Sequence, residues 1–355
     1  MTTVETALRR TDETRRGLRM LIGGELVSAS DGETLASFNP ATGGKLAEVP
    51  NASPADVDRA VRAAKAAQVE WRRRSYVERR AVVLELARIL REQSAFLGML
   101  DTLDTGNIYS AMREDANGAA DMIDYYAAIG FELKGEVTSL DSNLHYSRRQ
   151  PYGVVARMLP FNHPIASFGT ALAAPLLTGN CVVMKPSPHT PMSALAFGEM
   201  VKDIVPPGVL NIIVGSNERA SIPLVNHTGV DRIALIGSVE AGKSVMRAAA
   251  DRLVPLTLEL GGKNPLIVYP DFDPEEAADI AVRGMNYGWQ SHSCASTSRV
   301  LVHSSLQSRF LEALREKLRA IKVADPFDAD AEMGAISYAD LHSRCLQFLE
   351  KGKAE

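Results

Sequence analysis

Short apolar runs, separated by stretches in which apolar residues recur at helical spacing, characterise the chain from Gly153 onward. Runs of this kind that end at turn residues are typical of buried strands. They predict strands at residues 154–159, 181–184, 210–214, 232–236 and 266–269. Because strands that alternate with helices form βαβ units, the pattern predicts an α/β fold built on a parallel sheet.

Helix starts are marked by N-cap residues that stand three positions before an acid or an amide. These residues are Ser53, Asp273 and Ser304. Helical spacing of apolar residues predicts helices over residues 54–71, 76–105, 274–284 and 306–321, and a further one that begins near Tyr338. Ahead of the first helix, residues 21–44 have the pattern of strands and turns.

Residues 135–150 have a different pattern, in which apolar and polar residues mix around Asp141, Ser142 and Asn143. This is typical of an exposed two-stranded hairpin. The residues alone support a plain surface hairpin as well as they support a contact between subunits.

The composition allows a folded protein of two or three domains, since the chain has 355 residues, of which 46% are hydrophobic and 23% charged. A net charge of -4, with both signs mixed, gives no basic surface for nucleic acid. No run approaches the ~18 apolar residues of a membrane span. Three scattered cysteines without a Cys-x-x-Cys pair predict neither disulfides nor a zinc site, so we expect a reducing, cytoplasmic setting.

Residues 1–20 contain five arginines and little apolar surface, and we expect them to form a mobile arm. Three acids in this stretch, Glu5, Asp12 and Glu13, argue against a mitochondrial presequence.

Three segments combine a potential nucleophile, a potential base and a neutral amide donor. Asn162 lies in PFNHP at residues 160–164, Glu259 in LELGGK at 258–263, and Cys294 in WQSHSCASTSR at 289–299. A thiol, a carboxylate and an amide are the groups needed to attack a carbonyl, stabilise the oxyanion and hydrolyse a thioester. Each residue also has an ordinary interpretation, as an inert cysteine, a surface glutamate or a turn asparagine.

Together, and in this order, the segments resemble the active site of NAD(P)-dependent aldehyde dehydrogenases, and the resemblance runs from about Leu21 to the last residue. It implies a Rossmann-type parallel sheet in a dinucleotide-binding domain formed by residues 21–134 and 151–259. Residues 135–150 would be an oligomerisation hairpin, and 260–355 an incomplete α/β catalytic domain. The resemblance further implies a homodimer or homotetramer.

For the chemistry, the resemblance implies that Cys294 adds to the aldehyde and that Asn162 and the Cys294 N–H bind the oxyanion. Glu259, its pKa raised by burial, would activate water to hydrolyse the thioester. A CoA-acylating enzyme would not need such a base, so Glu259 argues against that class of enzyme.

The chain departs from the family at 291–294, where Ser-His-Ser-Cys replaces the usual Gly-Gln-x-Cys. His292 also suggests a Cys-His protease, although residues two apart on a loop rarely face each other.

Cofactor contacts implied by the resemblance fall on Lys185, Ser187, Gly237, Ser238 and Leu260. Pro188 occupies a position where relatives that prefer NAD often have a glutamate for the ribose hydroxyls. Without that acid, a 2'-phosphate would meet less repulsion, so both NAD and NADP remain open.

A competing motif runs from Gly237 to Ser244, where the spacing matches a P-loop, with Lys243 on the phosphates and Ser244 on magnesium. Two points count against it. The same turn can present a helix N-terminus to a pyrophosphate, and no acid follows a hydrophobic strand where magnesium would require one.

The chain ends at Glu355, inside the helix expected from Tyr338, whereas family members continue through a Glu-x-Phe-Gly-Pro segment. We therefore expect that the 355-residue chain alone is inactive with aldehydes and poorly soluble. A truncated, non-catalytic form that binds a cofactor or a partner subunit is the remaining alternative.

Overall fold

A computed structural model describes Thr11, Thr14, Arg15 and residues 17–355, so most of the arm expected over residues 1–20 lies outside the described residues. The strands are β1 (Met20–Ile22), β2 (Glu25–Val27), β3 (Thr34–Phe38), β4 (Lys45–Pro50), β5 (Val137–Leu140), β6 (Asn143–Tyr146), β7 (Val154–Met158), β8 (Cys181–Lys185), β9 (Leu210–Ile212), β10 (Arg232–Gly237), β11 (Leu256–Leu260), β12 (Pro265–Val268) and β13 (Arg299–Val302). The longer helices are α1 (Pro54–Trp71), α2 (Tyr76–Glu92), α3 (Ser94–Thr105), α4 (Tyr109–Ile129), α5 (Pro164–Leu177), α6 (Met192–Val201), α7 (Ile222–Asn226), α8 (Val239–Ala250), α9 (Pro274–Gly284), α10 (Gln307–Ala320) and α11 (Ala339–Ala354).

The principal sheet has seven strands in the order β11-β10-β7-β8-β9-β1-β2. Its five strands from β7 to β11 are mutually parallel, and β1 and β2 add an antiparallel edge. Helices pack on both faces, as the βαβ pattern requires. The α/β fold with a parallel sheet is therefore confirmed, and each predicted strand lies within two residues of its observed bounds.

A second, smaller parallel pair is formed by β12 and β13. Helices α9 and α10 pack beside it around a hydrophobic cluster of Val268, Ala277, Ala278, Ala281 and Phe310. The larger cluster surrounds the principal sheet. The chain thus has two hydrophobic clusters among its described residues, one before and one after β11.

Two predicted helix starts are confirmed by their hydrogen bonds. Ser53 and Asp56 form a reciprocal capping box, and Asp273 accepts a hydrogen bond from the Glu276 N–H over 2.8 Å. The third is wrong: Ser304 lies inside a single 3₁₀ turn, and α10 begins at Gln307. Because the His303 imidazole caps this turn and accepts from the Ser305 N–H, the Ser304 hydroxyl is not the cap.

The single long helix predicted over residues 76–105 is also wrong, because the chain breaks at Gln93 between α2 and α3. Helix α2 keeps a charged outer face, whereas nearly every residue of α3 is buried. A straight helix could not satisfy both environments. The break turns α3 into the core, where its carboxyl end comes close to the candidate site.

The hairpin expected within residues 135–150 is formed by β5 and β6, which pair antiparallel across Asp141 and Ser142. All eight of its strand residues are exposed, including Val137, Leu140, Leu144 and Tyr146. Within the described residues, no helix is both long enough and apolar enough to cross a membrane.

Candidate active site

The ends of four parallel strands bring most of the predicted site residues to one edge of the principal sheet. Asn162 follows β7, Lys185 ends β8, Gly237 ends β10 and Glu259 lies at the end of β11. The register pairs Met158 with Lys185 across β7 and β8, and matching pairs join β10 to β11. The carboxyl edge of a parallel sheet is where open α/β folds bind ligands.

The Cys294 side chain is exposed, in a turn that follows a short 3₁₀ helix, Tyr287–Trp289. Burial raises the pKa of its thiol, and the Glu259 carboxylate raises it further through a hydrogen bond and its negative charge. The main-chain N–H groups of Cys294 and Ala295 act in the opposite direction. The Glu259 carboxylate thus favours the protonated form of the Cys294 thiol. By contrast, burial raises the pKa of the Cys181 thiol to about 12, which makes that residue inert.

Glu259 lies on β11, the edge strand, with its side chain exposed. Leu258 and Leu260 alternate with it and pack against the core, as expected for neighbouring residues of a strand. The burial predicted for Glu259 from its apolar neighbours is therefore wrong. Its interaction with Cys294 nevertheless joins two residues that are distant in the chain, one on β11 and one in the loop before β13.

Asn162 is connected to the cysteine loop through its side chain. Its amide donates a hydrogen bond to the main-chain oxygen of His292, two residues before Cys294. A side-chain amide has two donor hydrogens, so one remains for a substrate oxygen. The structure thus brings Asn162, Glu259 and Cys294 into one locality.

Asn264 is a site residue that the sequence reasoning missed. Its amide donates to the main-chain oxygens of Cys294 over 2.6 Å and Ser296 over 3.1 Å, which fixes the turn that carries the thiol. A Cβ at Gly262 would lie 2.8 Å from the Cys294 oxygen, so only glycine allows this approach. An asparagine directly after the Gly-Gly-Lys of the Glu259 segment was the available signal.

The residues proposed to contact a cofactor lie along the same edge. Lys185 is buried, and desolvation lowers its pKa to about 8; its ammonium donates one described hydrogen bond, 3.4 Å long, to the Pro186 oxygen. Ser187 is also buried. Ser238 caps α8, and Gly237 pairs with Leu260 at the ends of β10 and β11. The edge therefore offers a buried cation and a helix N-terminus.

A family model for the aldehyde dehydrogenase family matches residues 26–355. The chain belongs to this family. It is 37% identical over 327 residues to aldehyde dehydrogenase tropH of Talaromyces stipitatus, covering 90% of this chain and 63% of that protein. It is 37% identical over 336 residues to betaine aldehyde dehydrogenase of Brucella ovis, covering 94% of this chain and 69% of that protein.

Solved structures agree with the family assignment. The NAD+ complex of an aldehyde dehydrogenase from Bacillus cereus superposes with a TM-score of 0.93 at 33% identity, covering 100% of this chain and 72% of that chain. The indole-3-acetaldehyde dehydrogenase AldA of P. syringae gives a TM-score of 0.94 at 30% identity, with 100% and 73% covered. The chain spans about two thirds of the length of its sequence relatives, 63% of the first and 69% of the second.

In this aldehyde dehydrogenase chain the P-loop interpretation is wrong. Helix α8 begins at Val239, directly after Ser238, so no open loop precedes Lys243 to wrap around phosphates. Lys243 is exposed in the second turn of the helix, and Gly242 packs within the helix against Leu260. Gly237 thus lies in the turn from strand to helix, and Gly242 allows the helix to pack closely against Leu260.

His292 is not paired with Cys294. Burial lowers the pKa of the His292 imidazole to about 4, so the ring is neutral at physiological pH. Its ring lies edge-on to Phe161, with ring centres 5.8 Å apart. Among the described residues, Glu259 is the ionisable group that perturbs the Cys294 thiol. The structure therefore gives no support to a Cys-His protease.

The replaced glycine of the family motif leaves strain beside the nucleophile. Gln290 and Ser291 have φ angles of 48° and 61°, in the left-handed region where glycine is favoured. Two consecutive non-glycine residues in this region cost about 1 kcal/mol each. The Gln290 amide donates to the Gly106 oxygen over 2.8 Å, which helps to hold the conformation.

Substituting Ser291→Gly is therefore expected to stabilise the protein, by about 0.5–1 kcal/mol, because glycine adopts this φ without the Cβ clash. The measurement is denaturant unfolding of the two proteins. Ser293→Gly serves as the control, because Ser293 is not among the residues with positive φ and should lose stability or stay unchanged. Equal shifts in both variants would contradict the strain argument.

Proposed function

We propose that the protein oxidises an aldehyde to the carboxylic acid with NAD(P)+, through a thiohemiacetal and a thioester on Cys294. The observation that carries the proposal is the contact between the Cys294 thiol and the Glu259 carboxylate at the carboxyl edge of the sheet, with Asn162 linked to the same loop. Family membership supports the reaction class.

In the first step the Cys294 sulfur attacks the carbonyl carbon while its proton passes to Glu259, which already accepts a hydrogen bond from the thiol. The carbonyl oxygen gains negative charge, and the Asn162 amide and the Cys294 N–H are the donors that can stabilise it.

A bound NAD(P)+ would supply the hydride acceptor for oxidation of the thiohemiacetal to the thioester. Glu259 releases the thiol proton to solvent before the second half of the reaction. It then removes a proton from water, and the hydroxide adds to the thioester carbonyl. The carbon–sulfur bond breaks, the acid leaves, and the sulfur recovers a proton. The exposure of Glu259 suits this step, because a base at the edge of the sheet is accessible to water.

The residues at the sheet edge fit a dinucleotide. The Lys185 ammonium is buried, and among the described residues no carboxylate offsets the effect of that burial on its pKa. A buried cation without an anionic partner is costly, so a ribose hydroxyl or a phosphate is a suitable ligand. Pro188 gives no carboxylate to repel a 2'-phosphate, and we therefore propose either NAD or NADP as the cofactor.

Lys185→Met should weaken binding of both cofactors by roughly 1–3 kcal/mol, since a hydrogen bond to a charged group is lost. The pKa of about 8 adds a second expectation: affinity of the parent protein should fall as pH rises through 8, because the ammonium loses its charge. Calorimetric titration with NAD and NADP from pH 7 to 9 measures both. An identical pH dependence in Lys185→Met would show that Lys185 is not the responsible group.

The function itself is tested by following reduction of NAD and NADP with a panel of aldehydes and measuring the acid formed. One acid per reduced cofactor, with no requirement for CoA, is expected. Cofactor binding without acid from any aldehyde would overturn the proposal and leave the non-catalytic alternative.

We also propose that the exposed β5–β6 hairpin contacts a second subunit. The hairpin has four large apolar side chains that are between 55% and 74% exposed: Val137, Leu140, Leu144 and Tyr146. Apolar side chains grouped on a surface, and two-stranded hairpins that pack against nothing, are both unfavourable in water. Light scattering should show a dimer or tetramer that dissociates in Leu144→Glu. An unchanged mass in that variant would refute the assignment.

A further inference from the structure

We infer that Asn107 positions Asn162, and that residues 101–109 connect the segments that carry Asn162 and Cys294 into one unit. The inference rests on the proposed function, because it assigns Asn107 a role through the proposed oxyanion donor. Asn107 lies in the loop between α3 and α4.

Asn107 is completely buried, and its amide donates a 2.8 Å hydrogen bond to the main-chain oxygen of Asn162. Its own N–H is held by the Thr105 hydroxyl at 3.0 Å, so the loop that carries the side chain is fixed. The Oδ1 atom of Asn107 is buried without a hydrogen-bond partner among the described residues. The same amide also donates to the Met112 sulfur over 3.3 Å, a weak acceptor, so the bond to the Asn162 oxygen is the stronger of its two hydrogen bonds.

The neighbours of Asn107 connect to the nucleophile segment. The Gly106 oxygen accepts from the Gln290 amide over 2.8 Å, and the Ile108 N–H donates to the Gly288 oxygen over 3.2 Å. Gly106 has a φ of 78°, and a Cβ there would lie 2.5 Å from the Ala335 oxygen. Three consecutive residues, 106–108, therefore contact both halves of the candidate site.

The preceding turn of α3 holds the helices that follow the site loops. Asp101 accepts from the Ile165 N–H at the start of α5, over 3.0 Å, just after Asn162. Asp104 accepts from the Met192 N–H at the start of α6, over 3.1 Å, after the loop that begins at Lys185. These are helix N-caps supplied from a distant element. One rigid helix end thus sets the position of Asn162 from two sides.

Catalytic donors must be placed within a fraction of an ångström, and a displacement of about 1 Å can cost 10²-fold in rate. Loss of the Asn107 amide would free the Asn162 main chain, and its side chain would then be poorly aimed at the substrate oxygen. A reaction of Cys294 that passes through an oxyanion should therefore become slower. A reaction of Cys294 that forms no oxyanion should keep its rate.

Two reactions of Cys294 separate these effects without a cofactor. p-Nitrophenyl acetate acylates the sulfur through a tetrahedral oxyanion and releases p-nitrophenolate, whereas iodoacetamide alkylates the sulfur by direct displacement of iodide. We expect Asn107→Ala to slow acylation about 10²-fold, comparable with loss of an oxyanion donor, and to leave alkylation near the parent rate. Asn107→Asp, which keeps the size but removes the donor, should behave alike.

Asn211→Ala is the matched control, since Asn211 is equally buried and hydrogen-bonded but lies on β9, in contact with Gly23 and Gly208. It should lower stability without changing the ratio of acylation to alkylation. The double variant Asn107→Ala/Asn162→Ala should acylate no more slowly than Asn162→Ala alone, because both changes act through one donor.

Suppose that Asn162→Ala slows acylation. If Asn107→Ala then leaves acylation unchanged, or slows acylation and alkylation equally, Asn107 has no positioning role and the inference is overturned. If Asn162→Ala itself leaves acylation unchanged, the oxyanion role in the proposed function is wrong. The two failures are therefore distinguishable in one set of variants.

Discussion

Cys294→Ala is expected to lower the rate of aldehyde oxidation by several orders of magnitude for every aldehyde that the parent protein accepts. In the proposed mechanism the sulfur forms the bond to substrate in both the thiohemiacetal and the thioester, so we expect no other group in the site to replace it. Cofactor binding should be retained, because Lys185 and Ser238 lie on other strands and loops. The measurement is cofactor reduction under saturating aldehyde, with calorimetry to confirm cofactor binding.

Cys345→Ala provides the matched control for this prediction, since Cys345 is a second free cysteine, half-buried on α11. It should oxidise aldehydes like the parent. p-Nitrophenyl acetate gives a readout that needs no hydride transfer: acylation should disappear in Cys294→Ala and persist in Cys345→Ala. Unchanged oxidation in Cys294→Ala would refute the nucleophile assignment.

Those features of the fold that depend on local pattern were predictable from the sequence. The apolar runs predicted β7, β8, β9, β10 and β12 to within two residues, and the capping signals at Ser53 and Asp273 were confirmed. Buried strands and helix caps depend on residues near one another in the chain, which makes them readable.

Features that depend on tertiary contacts were missed. The break at Gln93 follows from the burial of α3. The His303 cap is a local contact to the Ser305 N–H, but imidazole is not among the side chains that usually cap helices. Neither has a periodicity that sequence reasoning could detect. Asn264 and Asn107 were missed for the same reason, because each acts on a loop that the chain reaches only in the folded state.

Glu259 shows how a chemical role can be proposed with the wrong environment. Leu258 and Leu260 suggested burial, but on an edge strand the alternate residues face away from the core. Exposure changes its expected behaviour: the carboxylate acts through its contact with Cys294 and its access to water. A substitution at this position therefore tests both properties together.

Glu259→Gln should have opposite effects on the two halves of the reaction. The carboxylate raises the pKa of the Cys294 thiol through a hydrogen bond and its charge, so its removal should lower that pKa. More thiolate is then present at neutral pH, and the pH profile of alkylation by iodoacetamide should move to lower pH. Hydrolysis of the thioester, by contrast, should slow by about 10²–10⁴, because the base for water is lost.

The two effects predict a characteristic time course for Glu259→Gln: a burst of reduced cofactor of about one per active site, followed by slow turnover, as the acyl-enzyme accumulates. Mass spectrometry should detect the acyl group on Cys294 during the slow phase. Glu312→Gln, an exposed glutamate on α10, is the control and should show neither the burst nor the shifted alkylation profile. An alkylation profile that moves to higher pH would mean that the Glu259 carboxylate promotes thiolate formation. The carboxylate could not then raise the pKa of the thiol, whereas turnover without a burst would show that a group other than Glu259 activates the water.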